Sequence, residues 1–284
     1  MLFRSQHRHR QAASAGLIVP VLIGPETRIR SAAADAGIDL TGVEIVSTPH
    51  SHAAGEEAVA LARQGKVDII MKGALHTDEL LVPALARETG LRTARRLSHV
   101  FVMDLPKSDR PYFITDAAIN ITPSLEDLRD IVQNAIDLAH ALGNPRPRVA
   151  ILSAVETVTS KLQSTLNAAA LCKMADRGQI TGAALDGPLA FDNAVSPEAA
   201  AAKGIVSEVA GRADILVVPD LVSGNMLAKE LDYLAGAEAA GVVLGARVPI
   251  VLTSRADGVF ERKVSTALAV LFRAHTLRTK TAVI

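Results

Sequence analysis

Short apolar runs alternate with alanine-rich, amphipathic stretches along most of this chain. Leu17–Ile23 reads as a strand closed by Gly24-Pro25, and Glu26–Ala36 as a helix stopped at Gly37. Val43–Val46 is a second strand and His52–Gln64 a second helix. Val67–Met71 is a third strand, running into Lys72-Gly73, with a helix over Glu79–Arg87 behind it. This alternation predicts βαβ units and a parallel sheet. His99–Asp104 and Tyr112–Thr115, joined by L-P-K-S-D-R-P, read as a hairpin on the edge of another sheet. Helices follow at Ser124–Leu142, where Ser124 and Asp127 form a capping box, and at Ser164–Arg177. Val149–Ser153, Thr181–Leu185 and Ile215–Val218 are further strands, and Met226–Ala239 is a helix. The glycine-rich Ala235–Gly245 either packs helix against strand or connects lobes. Val248–Thr253 is a buried, β-branched strand. Beyond it, Phe260, Val264, Leu268, Leu271 and Phe272 share one face of a last helix.

The polar chemistry collects where these strands end and helices begin. After Val248–Thr253 come Ser254, Arg255, Asp257 and Glu261: a hydroxyl, a guanidinium and two carboxylates beside a helix N-terminus that suits an anion. After Val67–Met71 come Lys72, Gly73, His76 and Thr77, with Gly73 permitting close backbone approach and Thr77 or Asp78 able to cap a helix. Asp186 stands at the end of Thr181–Leu185, and Ser223, Gly224 and Asn225 lie between Ile215–Val218 and the helix from Met226. Such strand ends are where ligands bind in open α/β sheets. Taken singly, each turn reads equally well as a capped helix start with solvated side chains.

Composition narrows the class. A chain of 284 residues holds one large or two modest domains, and with 3% aromatics and no Trp its core is built from Ala, Val, Leu and Ile. The formal net charge of +0 gives no global field to recruit nucleic acid or an acidic membrane. One cysteine, Cys172, excludes an intramolecular disulfide and a cysteine-based zinc site, and fits a reducing cytoplasm. No apolar run reaches the roughly 18 residues of a membrane span, and M-L-F-R-S-Q-H-R-H-R lacks a secretory core. The polar, basic Met1–Ala15 reads as a solvated terminus ahead of a metal or phosphate tail.

Five stretches taken together carry more than any one alone: M-K-G-A-L-H-T-D-E-L at 71–80, T-D-A-A-I-N at 115–120, D-G-P-L-A-F-D-N-A at 186–194, P-D-L-V-S-G-N-M-L-A-K at 219–229 and L-T-S-R-A-D at 252–257. In this order they resemble the phosphate acetyl/butyryltransferase family, over nearly all of residues 15–275, and most closely the form found as the C-terminal part of bifunctional enoyl-CoA hydratase/phosphate acetyltransferases. The resemblance implies reversible transfer of an acetyl or short-chain acyl group between coenzyme A and inorganic phosphate. It implies a two-lobed α/β/α fold with mainly parallel sheets and a central cleft, like the isocitrate/isopropylmalate dehydrogenases. The lobes would be 1–92 with 246–284, and 93–245, the second carrying a homodimer interface. Coenzyme A is a substrate, and neither cofactor nor metal is implied.

By the same resemblance Ser254 and Arg255 match the family's Ser-Arg pair. Glu261 falls where the catalytic carboxylate lies, usually Asp in acetyl-specific members, with Asp257 as the nearer alternative. Lys72, Gly73, His76, Thr77, Asp186, Ser223, Gly224 and Asn225 become candidate substrate contacts. The chain departs from the pattern at Val82, where acetyl-type members commonly carry Arg. It departs again at its start, where the family has one more strand and helix than Met1–Ala13 accommodates. Two alternatives remain: a non-catalytic homologue binding CoA or acyl phosphate, and a metal- and NAD-dependent decarboxylating dehydrogenase of the same fold.

Overall fold

The computed structural model describes residues 16–252 and 258–281. Ten strands and nine helices are assigned among them. The chain forms two compact units, one ending at Arg95 and resuming at Ala240, the other spanning Arg96–Ala239.

In the first unit, β1 (Val21–Gly24) pairs in parallel with β2 (Glu44–Ser47), and β3 (Ile70–Met71) pairs in parallel with β10 (Ile250–Val251). Strand β9 (Glu238–Leu244) joins β10 antiparallel through Val243 and Ile250. Helices α1 (Glu26–Asp35), α2 (Ser51–Arg63), α3 (Thr77–Leu85) and α9 (Val259–Thr281) belong to this unit. Strand β1 begins at Val21 and not at Leu17, because Pro20 has no N–H to give to a ladder. The β1–β2 pair is separate from β3–β10–β9, and a cavity of about 660 Å³ is lined by Val21–Ile23 on one side and Val67–Met71 on the other. The glycine-rich stretch expected as a packing or connecting segment is strand β9, with Val242, Val243 and Leu244 fully buried.

Helix α9 also departs from its apolar pattern. Phe260 and Leu271 are exposed, while Arg262, Ser265, Thr266 and Ala269, spaced i, i+3, i+4 and i+7, are buried beside Leu268. Polar side chains occupy that face because their hydrogen bonds are met: Thr266 Oγ1 donates to the Arg262 carbonyl at 2.7 Å, and Ser265 Oγ accepts the Gly241 N–H at 2.9 Å.

The second unit orders its strands β4 (Ser98–Asp104), β5 (Tyr112–Thr115), β8 (Ile215–Val217), β6 (Arg148–Leu152) and β7 (Ala184–Leu189). β4 and β5 form the hairpin, and the remaining neighbours run parallel. β5 is not an edge strand: Phe113–Thr115 pair with Ile215–Val217 on its far side. Helices α4 (Leu125–Ala141), α5 (Gln163–Asp176), α6 (Phe191–Val195), α7 (Pro197–Ala202) and α8 (Leu221–Tyr233) surround this sheet. Ser124 and Asp127 cap α4 reciprocally, at 3.1 Å in both directions. The core of the unit is aliphatic, centred on Met103, Ile114, Leu189, Val209 and Leu216.

Two corrections bear on the site. Helix α8 begins at Leu221 and not at Met226, so Ser223, Gly224 and Asn225 lie in its first turns and not in a preceding loop. Strand β7 runs to Leu189, so Asp186 sits within it and not beyond its end. No helix among the described residues is long and apolar enough to cross a membrane.

Candidate active site

In the second unit, candidate residues gather at the carboxyl ends of β5, β8 and β6. Directly after β5 the chain turns through Asp116–Asn120. The buried Asp116 carboxylate organises that turn: Oδ1 accepts the Ala118 and Ile119 N–H groups at 3.0 and 3.1 Å, and Oδ2 accepts the Asn120 N–H at 3.2 Å and its side-chain amide at 2.6 Å. Asn120 passes the network on, donating to the Leu97 carbonyl and accepting from Arg96 Nε at 2.7 Å.

Helix α8 starts against this turn. Asp220 is its N-cap, accepting the Ser223 N–H at 2.8 Å, and the Ser223 hydroxyl donates back to Asp220 Oδ1 at 2.9 Å. A Cβ on Gly224 would stand 2.6 Å from Val218 Cγ2 and 3.0 Å from the Asp116 carbonyl oxygen. Glycine at 224 therefore lets the helix meet the strand. Asn225 donates to the Ala117 carbonyl at 3.4 Å. The structure thus joins the 115–120 and 219–229 stretches into one device. Asp186 stands apart from it, its carboxylate accepting the neighbouring Gly187 N–H at 2.8 Å.

A cavity of about 990 Å³ opens beside this device, reached by Asp220 and Ser223. Beneath the same turn lies His99, which the sequence reading passed over as part of an apolar strand. It is buried edge-on to Phe101, with ring centroids 4.3 Å apart, and its Nδ1 has no hydrogen-bond partner among the described residues. Burial pushes its pKa down to about 4, against an opposing pull from Asp116.

The first unit supplies the other candidates. The Lys72 N–H bonds the Val251 carbonyl at 2.9 Å, tying the ends of β3 and β10 together. Its buried Nζ donates to the carbonyls of Leu75 and Gly73 at 3.2 and 3.4 Å, fixing the turn that leads to His76 and Thr77. His76 and Thr77 are exposed at the start of α3. Glu79 draws this turn onto α2, accepting the Ser51 hydroxyl at 2.5 Å and the His76 N–H at 2.6 Å, with His52 Nδ1 at 3.0 Å. Those contacts, the Ser51 bond foremost, hold its carboxyl below the usual range.

Glu261 occupies the first turn of α9. Its Oε2 is buried without a hydrogen-bond partner among the described residues, in a space a side chain at Gly258 would fill, since a Cβ there would lie 2.4 Å from it. Ser254, Arg255 and Asp257 lie outside the described residues. Among the described residues no group of three or more His, Cys, Asp and Glu side chains is placed to hold a metal ion.

The phosphate acetyl/butaryl transferase family model matches residues 52–270, which include every candidate position above. This chain belongs to that family. Similar members include the phosphate acetyltransferase of Rhizobium meliloti, 64% identical over 264 residues that cover 93% of this chain and 84% of that protein. The phosphate butyryltransferase of Clostridium acetobutylicum is 44% identical over 262 residues, 92% of this chain and 87% of that one. In three dimensions the chain is similar to a branched-chain phosphotransacylase from Enterococcus faecalis V583, with a TM-score of 0.81 and 31% identity, over 97% of this chain and 100% of that one. The mixed α/β architecture with mostly parallel strands is the fold of these transferases.

Proposed function

We propose that this chain moves an acetyl or short-chain acyl group reversibly between coenzyme A and inorganic phosphate. The observation that carries this reading is the family match over residues 52–270. A carboxylate, Glu261, accepts the thiol proton of coenzyme A, and the thiolate attacks the carbonyl of the acyl phosphate. Support for Glu261 over Asp257 is its Oε2, buried at the start of α9 without a hydrogen-bond partner among the described residues. Ser254 steadies the tetrahedral oxyanion, and Arg255 grips the phosphate with two parallel N–H bonds as charge builds on the leaving group. Lys72, His76 and Thr77 contribute from the β3 turn, and Ser223 and Asn225 from the start of α8. Coenzyme A enters as substrate, and no cofactor or metal is assigned.

The same reading takes the units as the two lobes of an isocitrate/isopropylmalate dehydrogenase-like fold with a cleft, in a cytoplasmic homodimer. Support for a subunit interface on the second lobe is the run of exposed apolar side chains on α8: Val222, Met226 and Tyr233, with Leu234 beyond its end. Light scattering at micromolar concentration should give twice the chain mass, and a monomer would remove the assembly. The activity is tested by following free thiol from acetyl-CoA and butyryl-CoA, with and without phosphate and with and without chelator. Thiol release should require phosphate and be indifferent to chelator. An inert protein would leave only a binding role, and chelator-sensitive turnover would point to the dehydrogenase-like alternative.

A further inference from the structure

We infer that Glu79 is a positioning residue for the proposed acyl transfer, locking the turn that presents His76 and Thr77 onto the start of α2; this rests on the proposed function, which takes both residues as substrate contacts. The carboxylate reaches two elements at once. Oε1 accepts the hydroxyl of Ser51, the first residue of α2, at 2.5 Å, and Oε2 accepts the N–H of His76, the N-cap of α3, at 2.6 Å. The Ser51 bond has the length of a charge-assisted one. The two helices meet again at Gly55, one turn further along α2, where a Cβ would overlap the Glu79 carbonyl oxygen. Side chain and backbone of one residue thus fasten α3 to α2.

A plain helix cap does not account for this arrangement. A capping carboxylate needs only the N–H groups of its own helix and can do its work in water. The Glu79 side chain is only 7% exposed, and among the described residues no Lys or Arg pairs with it. Its ionisable neighbour is His52, itself exposed, with Nδ1 3.0 Å from Oε1. A buried carboxylate is costly unless it is well bonded. Here the Ser51 bond, the strongest influence, holds the carboxyl below its usual range against desolvation. The other end of the turn is pinned as well, by Lys72 Nζ on the Gly73 and Leu75 carbonyls, and the Leu75 side chain is buried beneath it. His76 and Thr77 stay exposed on a backbone held from both sides. Rigid placement of this kind matters to a transfer reaction, where a shift of about 1 Å costs about 100-fold in rate.

Two measurements on the full chain test this. In Glu79→Ala, amide exchange at His76 should quicken about tenfold or more, while the amides of Val59 and Ala84, buried on α2 and α3, stay within about twofold. Unchanged exchange at His76 overturns the inference. So does an equal loss at all three, since Glu79 would then hold the fold and not the turn. In the turnover assay, Glu79→Ala should lower kcat/KM for phosphate by about 10–100-fold. Glu79→Gln should recover most of it, because the Ser51 hydroxyl can turn to accept from the new NH₂ while the amide oxygen keeps the His76 N–H. Ser51→Ala should cost less than Glu79→Ala and add nothing to it in the double variant. A Glu79→Ala within about twofold of wild type, a Glu79→Gln as impaired as Glu79→Ala, or fully additive losses with Ser51→Ala each overturn the inference. A wild-type chain without turnover would sink the proposed function, while the exchange result still reports on the lock.

Discussion

Removing the Asp116 carboxylate is the perturbation whose cost the structure states most directly. It accepts four hydrogen bonds, and two of them, both from Asn120, are buried. In Asp116→Ala the Ala118 and Ile119 N–H groups turn to water, but the Asn120 donors have none within reach. Each buried donor left unpaired costs about 1–3 kcal/mol, so the second unit should lose about 2–6 kcal/mol. Against a typical stability of about 5–15 kcal/mol that is a large fraction. Asp116→Asn keeps the volume and one acceptor oxygen, but its NH₂ must face one pair of donors, so its loss should fall between wild type and Asp116→Ala. Amide hydrogen exchange at Ile114 and Leu216, buried on β5 and β8, reads the opening free energy of this unit without requiring the whole chain to unfold in one step. Because α8 leans on the same turn through Gly224 and Asn225, KM for coenzyme A should rise in Asp116→Ala under conditions where it stays folded. A drop in exchange protection below about 1 kcal/mol would refute the idea that this carboxylate holds the turn.

Three shorter predictions follow from neighbouring residues. Gly224→Ala should cost about 1–3 kcal/mol by overpacking, read from the urea midpoint at unchanged m-value, because its Cβ has Val218 at 2.6 Å and backbone atoms at about 3 Å. His99, held at about 4 when folded against about 6.5 when unfolded, stays neutral while the unfolded chain takes up a proton. Stability should therefore fall by up to about 3 kcal/mol as pH drops from 6.5 towards 4, and His99→Leu should flatten that slope in urea titrations run across the range. At the proposed catalytic end, Glu261→Gln should abolish most thiol-dependent turnover with the fold intact, Ser254→Ala should lower kcat by roughly 10–1000-fold, and Arg255→Lys should recover only part of the loss in Arg255→Ala. An active Glu261→Gln beside a folded but dead Asp257→Asn would transfer the base to Asp257.

Most of the strand and helix order was readable from the chain because its β-branched runs are short, apolar and bounded by Gly, Pro and capping residues. The errors have local causes. L-V-S-G-N looks like a loop because Gly and Asn are poor helix formers, yet Asp220 and Ser223 carried the capping signal that starts α8 five residues earlier. Gly187-Pro188 looks like a strand end, yet β7 lies at the end of the sheet beyond β6, where a missing N–H is tolerated. The buried face of α9 was hidden because Arg262, Ser265 and Thr266 break the apolar code, with the Ser265 and Thr266 hydroxyls hydrogen-bonded. For the site, the ordered motifs identified the family and the strand ends. They could not show that Asp116 and His99 are buried beneath one of those turns, since a single Asp or His carries no burial signal of its own. Nor could they show that Gly224 is a packing glycine, because that depends on Val218 and Asp116 approaching from other elements.

The most direct test of the account is the identity of the bond formed. Butyryl-CoA, inorganic phosphate and the wild-type chain, followed together by ³¹P NMR and thiol titration, should yield acyl phosphate and free coenzyme A in equal amounts, and acyl phosphate with coenzyme A should regenerate the thioester. Thiol release accompanied by free carboxylate, with no acyl phosphate signal, would contradict it.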